Sequence, residues 1–191
     1  PLHIASMYLA NEPHDLHHLG DIYQMKRAID SGQFPPRLGP DFLYGFGYPL
    51  FNYYYVLPFY LGAFFYTAFG SLMAALKSVF LVSALLSVYG MYLLLKEFFG
   101  KYASFFGALL YLYTPFRAVE IYVRGAVGEA LAIAIFPWVL WAIHKTIKKP
   151  SPQNTSILAI IIAFLLLTHN YFFLLIAPFT LAFTLTVLFF E

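Results

Sequence analysis

Residues 72–95 read LMAALKSVFLVSALLSVYGMYLLL, an apolar run interrupted by one charge, Lys77. Nothing else in the chain constrains its fold as strongly. Roughly 20 apolar residues carry an α-helix across a bilayer, with about 17 as the lower end, and inside lipid every backbone N–H and C=O must be satisfied by the segment itself. The pattern recurs. Tyr171–Phe190 passes the same length test, Ala126–Ile143 and Ile157–Thr168 resemble it, and Ala103–Phe116 reaches span length only if its flanks are recruited. Tyr48–Phe69 is apolar and aromatic but carries Pro49, Asn52 and Pro58. That composition favours a helix lying in the interface or dipping partway in over an ordinary span. With 10% charged residues, the chain cannot coat a water-facing surface, for which a soluble domain uses about 25%. The expected fold class is all-α, a polytopic transmembrane helical bundle. Residues 1–71 are expected to form a first external loop with juxtamembrane helices, and residues 72–191 a bundle of about five spans.

Lysines set the expected orientation. Lys96 and Lys101 flank one short loop, and Lys145, Lys148 and Lys149 fill another. Positive charge in short loops marks the cytoplasmic side, so the Arg117–Glu129 and His169–Asn170 connections are expected outside, with the plasma membrane as the location. A net charge of +2 gives no basis for nucleic-acid binding. The absence of cysteine excludes disulfides and thiolate metal sites. The sequence opens at Pro1, and the chain is expected to be an internal piece of a longer protein, with residues 1–10 the tail of an earlier span.

Three polar segments interrupt the apolar pattern. In the first, residues 15–31 have helical character, with Leu16, Leu19, Tyr23, Ala28 and Ile29 spaced for one face. Asp15 stands at the helix start, where a carboxylate caps backbone N–H groups. His18 lies three residues on, on the same side of the first turn. Together they have the chemistry to hold a divalent ion or move a proton, although a plain N-cap accounts for Asp15 equally well. In the second, RAVEIYVRGAVGE over residues 117–129, Glu120, Arg124 and Glu129 sit at the edges of apolar helices. Ionisable groups at such depth face a cavity or a partner, and Gly125 and Gly128 allow close backbone approach. An Arg–Glu pair tying two helices is the structural alternative. The third is Thr168-His169-Asn170, a polar turn between two apolar runs.

The order of these features resembles the GT-C superfamily of membrane glycosyltransferases. In local wording it is most similar to YfhO-type proteins and to the membrane domain named "6-pyruvoyl-tetrahydropterin synthase-related", a name whose pterin chemistry has no counterpart in these residues. The resemblance rests on DLHH at 15–18, SGQFPPR at 31–37, GFGYP at 45–49, NYYY at 52–55 and RGAVGE at 124–129, and it runs over nearly the whole chain. It implies a polyprenyl-phosphate sugar donor and an acceptor on the external face. Asp15, in the place of the first-loop acid, would be the general base or a metal ligand, and Glu129, with Glu120 as the other candidate, the second-loop acid that holds a metal or the acceptor. Arg124 would pair with phosphate, with His18 and His169 as further substrate-binding residues. A divalent metal on Asp15 and Glu129 is the cofactor the resemblance allows. The tandem Asp-x-Asp of some members is absent from the second loop. Two other classes stay open on the residues alone: a transporter or lipid flippase, and a non-catalytic membrane scaffold.

Overall fold

The computed structural model describes residues 17–190. Its elements are α1 (His17–Asp30), α2 (Leu50–Tyr53), α3 (Leu57–Phe69), α4 (Leu72–Lys96), α5 (Lys101–Leu112), α6 (Pro115–Ala118), a π-helical turn (Val119–Arg124), α7 (Val127–Lys148), α8 (Pro152–Thr168) and α9 (Asn170–Phe190). Among the described residues the sole β pairing is one bridge between Gly39 and Tyr48. The all-α expectation holds.

Among the described residues, three helices are long and apolar enough to cross a membrane: α4 with 25 residues, α7 with 22 and α9 with 21. The 17 residues of α8 and the 12 of α5 fall short of that length. Helix α7 forms the centre. Its residues Leu131, Ile135, Val139 and Ile143 are buried against Leu165 of α8 and Ile176 of α9, and α4 covers its other side. Two contacts give the direction. The Ser83 hydroxyl donates to the Ala130 carbonyl at 2.6 Å, and Lys145 Nζ meets Glu97 Oε1 at 2.9 Å. Helices α4 and α7 therefore run parallel, and both lysine-bearing loops lie at one end of the bundle. The other end gathers α1–α3, the π-helical turn and the α8–α9 connection.

Buried backbone and charge are met locally. Pro137 lies inside α7, where its missing N–H leaves the Ile133 carbonyl without its helical donor. The Tyr111 hydroxyl donates to that carbonyl at 2.8 Å. Arg117 is 2% exposed, and its guanidinium donates to the Ser87 and Ser83 hydroxyls, each at 2.8 Å. No carboxylate pairs with it among the described residues.

The aromatic run at 48–69 divides into α2 and α3. Pro58 takes the second position of α3, where a missing N–H costs no helical bond. The 13 residues of α3 cover about 20 Å, against the ~30 Å of a hydrocarbon core. Its start is tied to the end of α8, the Val56 N–H donating to the Leu167 carbonyl at 3.0 Å. Its last turn closes on Gly70, directly before α4 begins.

Helix α1 matches the expected helix but turns a different face inward. His18, Asp21, Ile22, Gln24, Met25 and Ala28 are buried, whereas Tyr23 and Ile29 are exposed. Ile22 and Met25 join Phe59, Ala63, Leu76 and Val79 in the core between α3 and α4. Gln24 tolerates burial because its Oε1 accepts from the Asp41 N–H at 2.9 Å. Apolar spacing alone counts such a residue as outward-facing.

Candidate functional site

The turn leading into α7 gathers the polar residues of the second segment. The π-helical turn ends on Gly125, whose φ of 72° lies in the left-handed region that glycine adopts without strain. The chain then reverses into α7, so Glu120, Arg124 and Glu129 converge. Arg124 Nη1 donates to both Glu120 oxygens, at 3.0 and 2.9 Å. Its fork also grips Glu129, Nη1 bonding Oε2 and Nη2 reaching Oε1 at 3.2 Å. Glu120 is 1% exposed, whereas the Arg124 side chain is 40% exposed. The cation is thus the most exposed member of the group.

His169 completes the cluster from the α8–α9 connection, its Nε2 3.6 Å from Glu129 Oε1. The Phe172 N–H donates to His169 Nδ1 at 3.1 Å, which fixes Nδ1 as the acceptor and places the ring proton of the neutral form on Nε2, toward Glu129. Burial lowers the His169 pKa, opposed by the Glu129 carboxylate, and the ring is neutral at pH 7. Burial also raises the Glu120 carboxyl to about 7, reinforced by the neighbouring Glu129 and opposed by Arg124. Near neutral pH the two carboxylates flanking one guanidinium therefore retain a proton for part of the time.

Tyr55 forms the wall beside this cluster. Its ring stacks on His169 at a centroid distance of 5.0 Å, on Tyr54 at 4.1 Å and on Phe59 at 5.4 Å. Gly128 admits the ring, since a Cβ there would fall 2.4 Å from Tyr55 Cζ. Beyond Tyr55 lies the start of α1, with His18 6.4 Å from the Tyr55 ring. An apolar groove of about 550 Å³ opens between α3, α4, α7 and α8. Leu57, Leu61, Val82, Leu131 and Trp138 are among its walls. Leu131 lies two residues after Glu129 in α7, so the groove reaches the end of α7 that carries Glu129.

The structure therefore brings together four of the six expected site residues, Glu120, Arg124, Glu129 and His169, and places His18 behind the Tyr55 wall. Asp15 lies outside the described residues, and with it the metal site expected on Asp15 and Glu129. Asp21 carries no signal in the sequence pattern, and Tyr55 enters there only as part of the NYYY motif at 52–55. Arg117, buried beside α4, has a signal in the sequence: it is a charge directly after an apolar run. The family model for the 6-pyruvoyl-tetrahydropterin synthase related domain, described as a membrane protein, matches residues 51–191. No curated protein and no solved structure matches the chain.

Proposed function

The chain belongs to the 6-pyruvoyl-tetrahydropterin synthase related domain family of membrane proteins, and on that footing we propose that it serves glycosyl transfer from a polyprenyl-phosphate sugar to an acceptor hydroxyl on the external face of the plasma membrane. The observation that carries the reading is the partly exposed Arg124 fork, in a bundle that also holds an apolar groove between α3, α4, α7 and α8. A lipid-phosphate donor has this division: a long hydrocarbon chain suited to Leu57, Leu61, Val82 and Leu131, and an anionic head suited to a guanidinium.

The chemistry follows from charge. The acceptor oxygen bonds to the anomeric carbon as the carbon–oxygen bond to phosphate breaks, and the acceptor proton passes to a carboxylate. Negative charge grows on the leaving phosphate, where a fixed cation lowers the barrier. Arg124 supplies it by exchanging the Glu129 carboxylate for the phosphate. Glu129, still facing His169, is then released toward the acceptor. Glu120, buried behind Arg124, holds the guanidinium in place, and its raised pKa keeps the pocket from carrying two full negative charges. Asp15 is the proposed general base, and His169 stands beside Glu129 at the acceptor position.

The test is transfer of labelled sugar from polyprenyl-phosphate donors in membranes carrying the full-length protein. Removal of a general base costs typically 10²–10⁴ in rate, so Asp15→Asn is expected to lose at least about 100-fold, while the amide retains most of the capping. Glu129→Gln is expected to lose activity with expression intact. Retention of more than about half the rate by Asp15→Asn contradicts the base assignment. Failure of every polyprenyl donor with the wild type contradicts the transfer reading and leaves a flippase or scaffold.

A further inference from the structure

The first turn of α1 carries three ligand-type side chains that the transfer reading does not need. His17, His18 and Asp21 each offer one donor atom, and the three donors lie within 4.8 Å of one another. Asp21 Oδ2 is 3.7 Å from His17 Nε2 and 3.5 Å from His18 Nδ1. These gaps are long for a hydrogen bond. They fit ligands sharing one ion, because donors about 2.0–2.1 Å from a tetrahedral ion stand about 3.4 Å apart. The spacing is a property of the helix: residues three and four apart share a face, so Asp21 lies over both histidines.

Burial supplies the second observation. His18 is 1% exposed and Asp21 3% exposed. Both His18 ring nitrogens and Asp21 Oδ2 have no hydrogen-bond partner among the described residues. Around them stand Phe59, 5.7 Å from the His18 ring, with Tyr54 and Tyr55. Buried polar groups in native structures have partners, and a bare carboxylate beside an aromatic wall is costly. A cation held by His18 Nδ1 and Asp21 Oδ2 together with His17 would satisfy the buried carboxylate oxygen and one of the two His18 nitrogens.

We propose that His17, His18 and Asp21 bind a divalent transition-metal ion of the zinc class. Two imidazoles select against Mg²⁺ and Ca²⁺, which take oxygen ligands. Three protein ligands leave a fourth position of a tetrahedral ion open. That position faces the His17 side, where the imidazole is 51% exposed. This site differs from an Asp15–Glu129 metal site and stands whether or not the protein transfers sugar.

The test uses the full-length protein in detergent or nanodiscs, purified without a polyhistidine tag and stripped with chelator. Zn²⁺ is titrated by calorimetry. Co²⁺ is added as a spectroscopic probe, because a tetrahedral ion gives intense visible bands. The expected result is one bound ion per chain and a rise in thermal stability with Zn²⁺. Asp21→Asn and His18→Ala are expected to weaken binding at least about 10-fold. Should either fail to fold, His17→Ala at the exposed position is expected to do the same with its melting temperature in the absence of metal unchanged. Glu129→Gln is expected to bind normally. No binding by the wild type overturns the site, as does binding that survives His17→Ala and Asp21→Asn or that is lost in Glu129→Gln.

Discussion

Gly128→Ala is a small change with a large expected effect. The added Cβ would lie 2.4 Å from Tyr55 Cζ, 2.6 Å from Cε2 and 2.8 Å from Oη. Carbon atoms in good contact stand about 3.5–4.0 Å apart, so the ring has to retreat by about 1 Å. It has little room, because it is stacked with Tyr54, Phe59 and His169. Overpacking of this kind costs about 1–3 kcal/mol. In a chain of this size that lowers the melting temperature by about 3–10 °C. Gly107→Ala is the control. It gains the same ~1 kcal/mol of helix propensity, and its Cβ meets chiefly the terminal Cδ1 of Leu95, 2.5 Å away, which rotates aside. The assay is thermal unfolding of the full-length protein in detergent, followed through a double-mutant cycle with Tyr55→Leu. Shortening residue 55 removes the atoms that clash, so the Gly128→Ala penalty is expected to vanish in that background. A Gly128→Ala protein as stable as the Gly107→Ala protein, or a penalty unchanged by Tyr55→Leu, refutes the packing described for the site wall.

Further expectations concern charge. Glu120 has its folded-state pKa raised from 4.5 to about 7, so its protonated form favours the folded state. That stabilisation is complete below about pH 4.5 and is lost as pH rises through about 7, amounting to at most about 3 kcal/mol. The melting temperature should therefore fall between pH 5 and pH 8, and Glu120→Gln should flatten this slope; a wild-type profile that rises over the window contradicts the assignment. Ser83→Ala with Ser87→Ala strips the hydroxyls from the buried Arg117 guanidinium. Hydrogen bonds to charged groups contribute about 1.5–3 kcal/mol each, so the pair should cost several kcal/mol in unfolding experiments, and a neutral double variant would show that Arg117 finds other partners. For topology, Tyr122→Cys and Lys148→Cys, each the sole cysteine of a chain that has none, should react with impermeant maleimide from opposite sides of the membrane. Labelling from one side would break the orientation.

The spans were legible because lipid imposes a length and an apolar composition that any reader of the sequence can apply. Leu72–Leu95 and Tyr171–Phe190 reappear as α4 and α9 with ends shifted by a residue. That 48–69 forms no helix of spanning length was legible in Pro49, Asn52 and Pro58, but its division into α2 and α3 was not. The face of α1 was not legible. Its orientation is set by what α3 and α4 place beside it, and buried Gln24 and Asp21 do not register in a count of apolar residues. At the site, the spacing of Glu120, Arg124 and Glu129 suggested one group, but the π-helical turn that closes it depends on tertiary packing. The Tyr55 wall was hidden for the same reason. It pairs residues from three separate elements, and a single sequence holds no record of that pairing.

The lipid-phosphate donor can be located directly. A polyprenyl phosphate bearing a photoactivatable group along its isoprenoid chain is irradiated with membranes containing the full-length protein, and the modified peptides are mapped by mass spectrometry. The account predicts saturable labelling of the groove residues of α3 and α7, Leu57, Leu61, Leu131 and Ile135, competed by unlabelled polyprenyl phosphate and weakened by Arg124→Gln. Labelling confined to the lipid-exposed surface of α9, unsaturable and indifferent to Arg124→Gln, would contradict it.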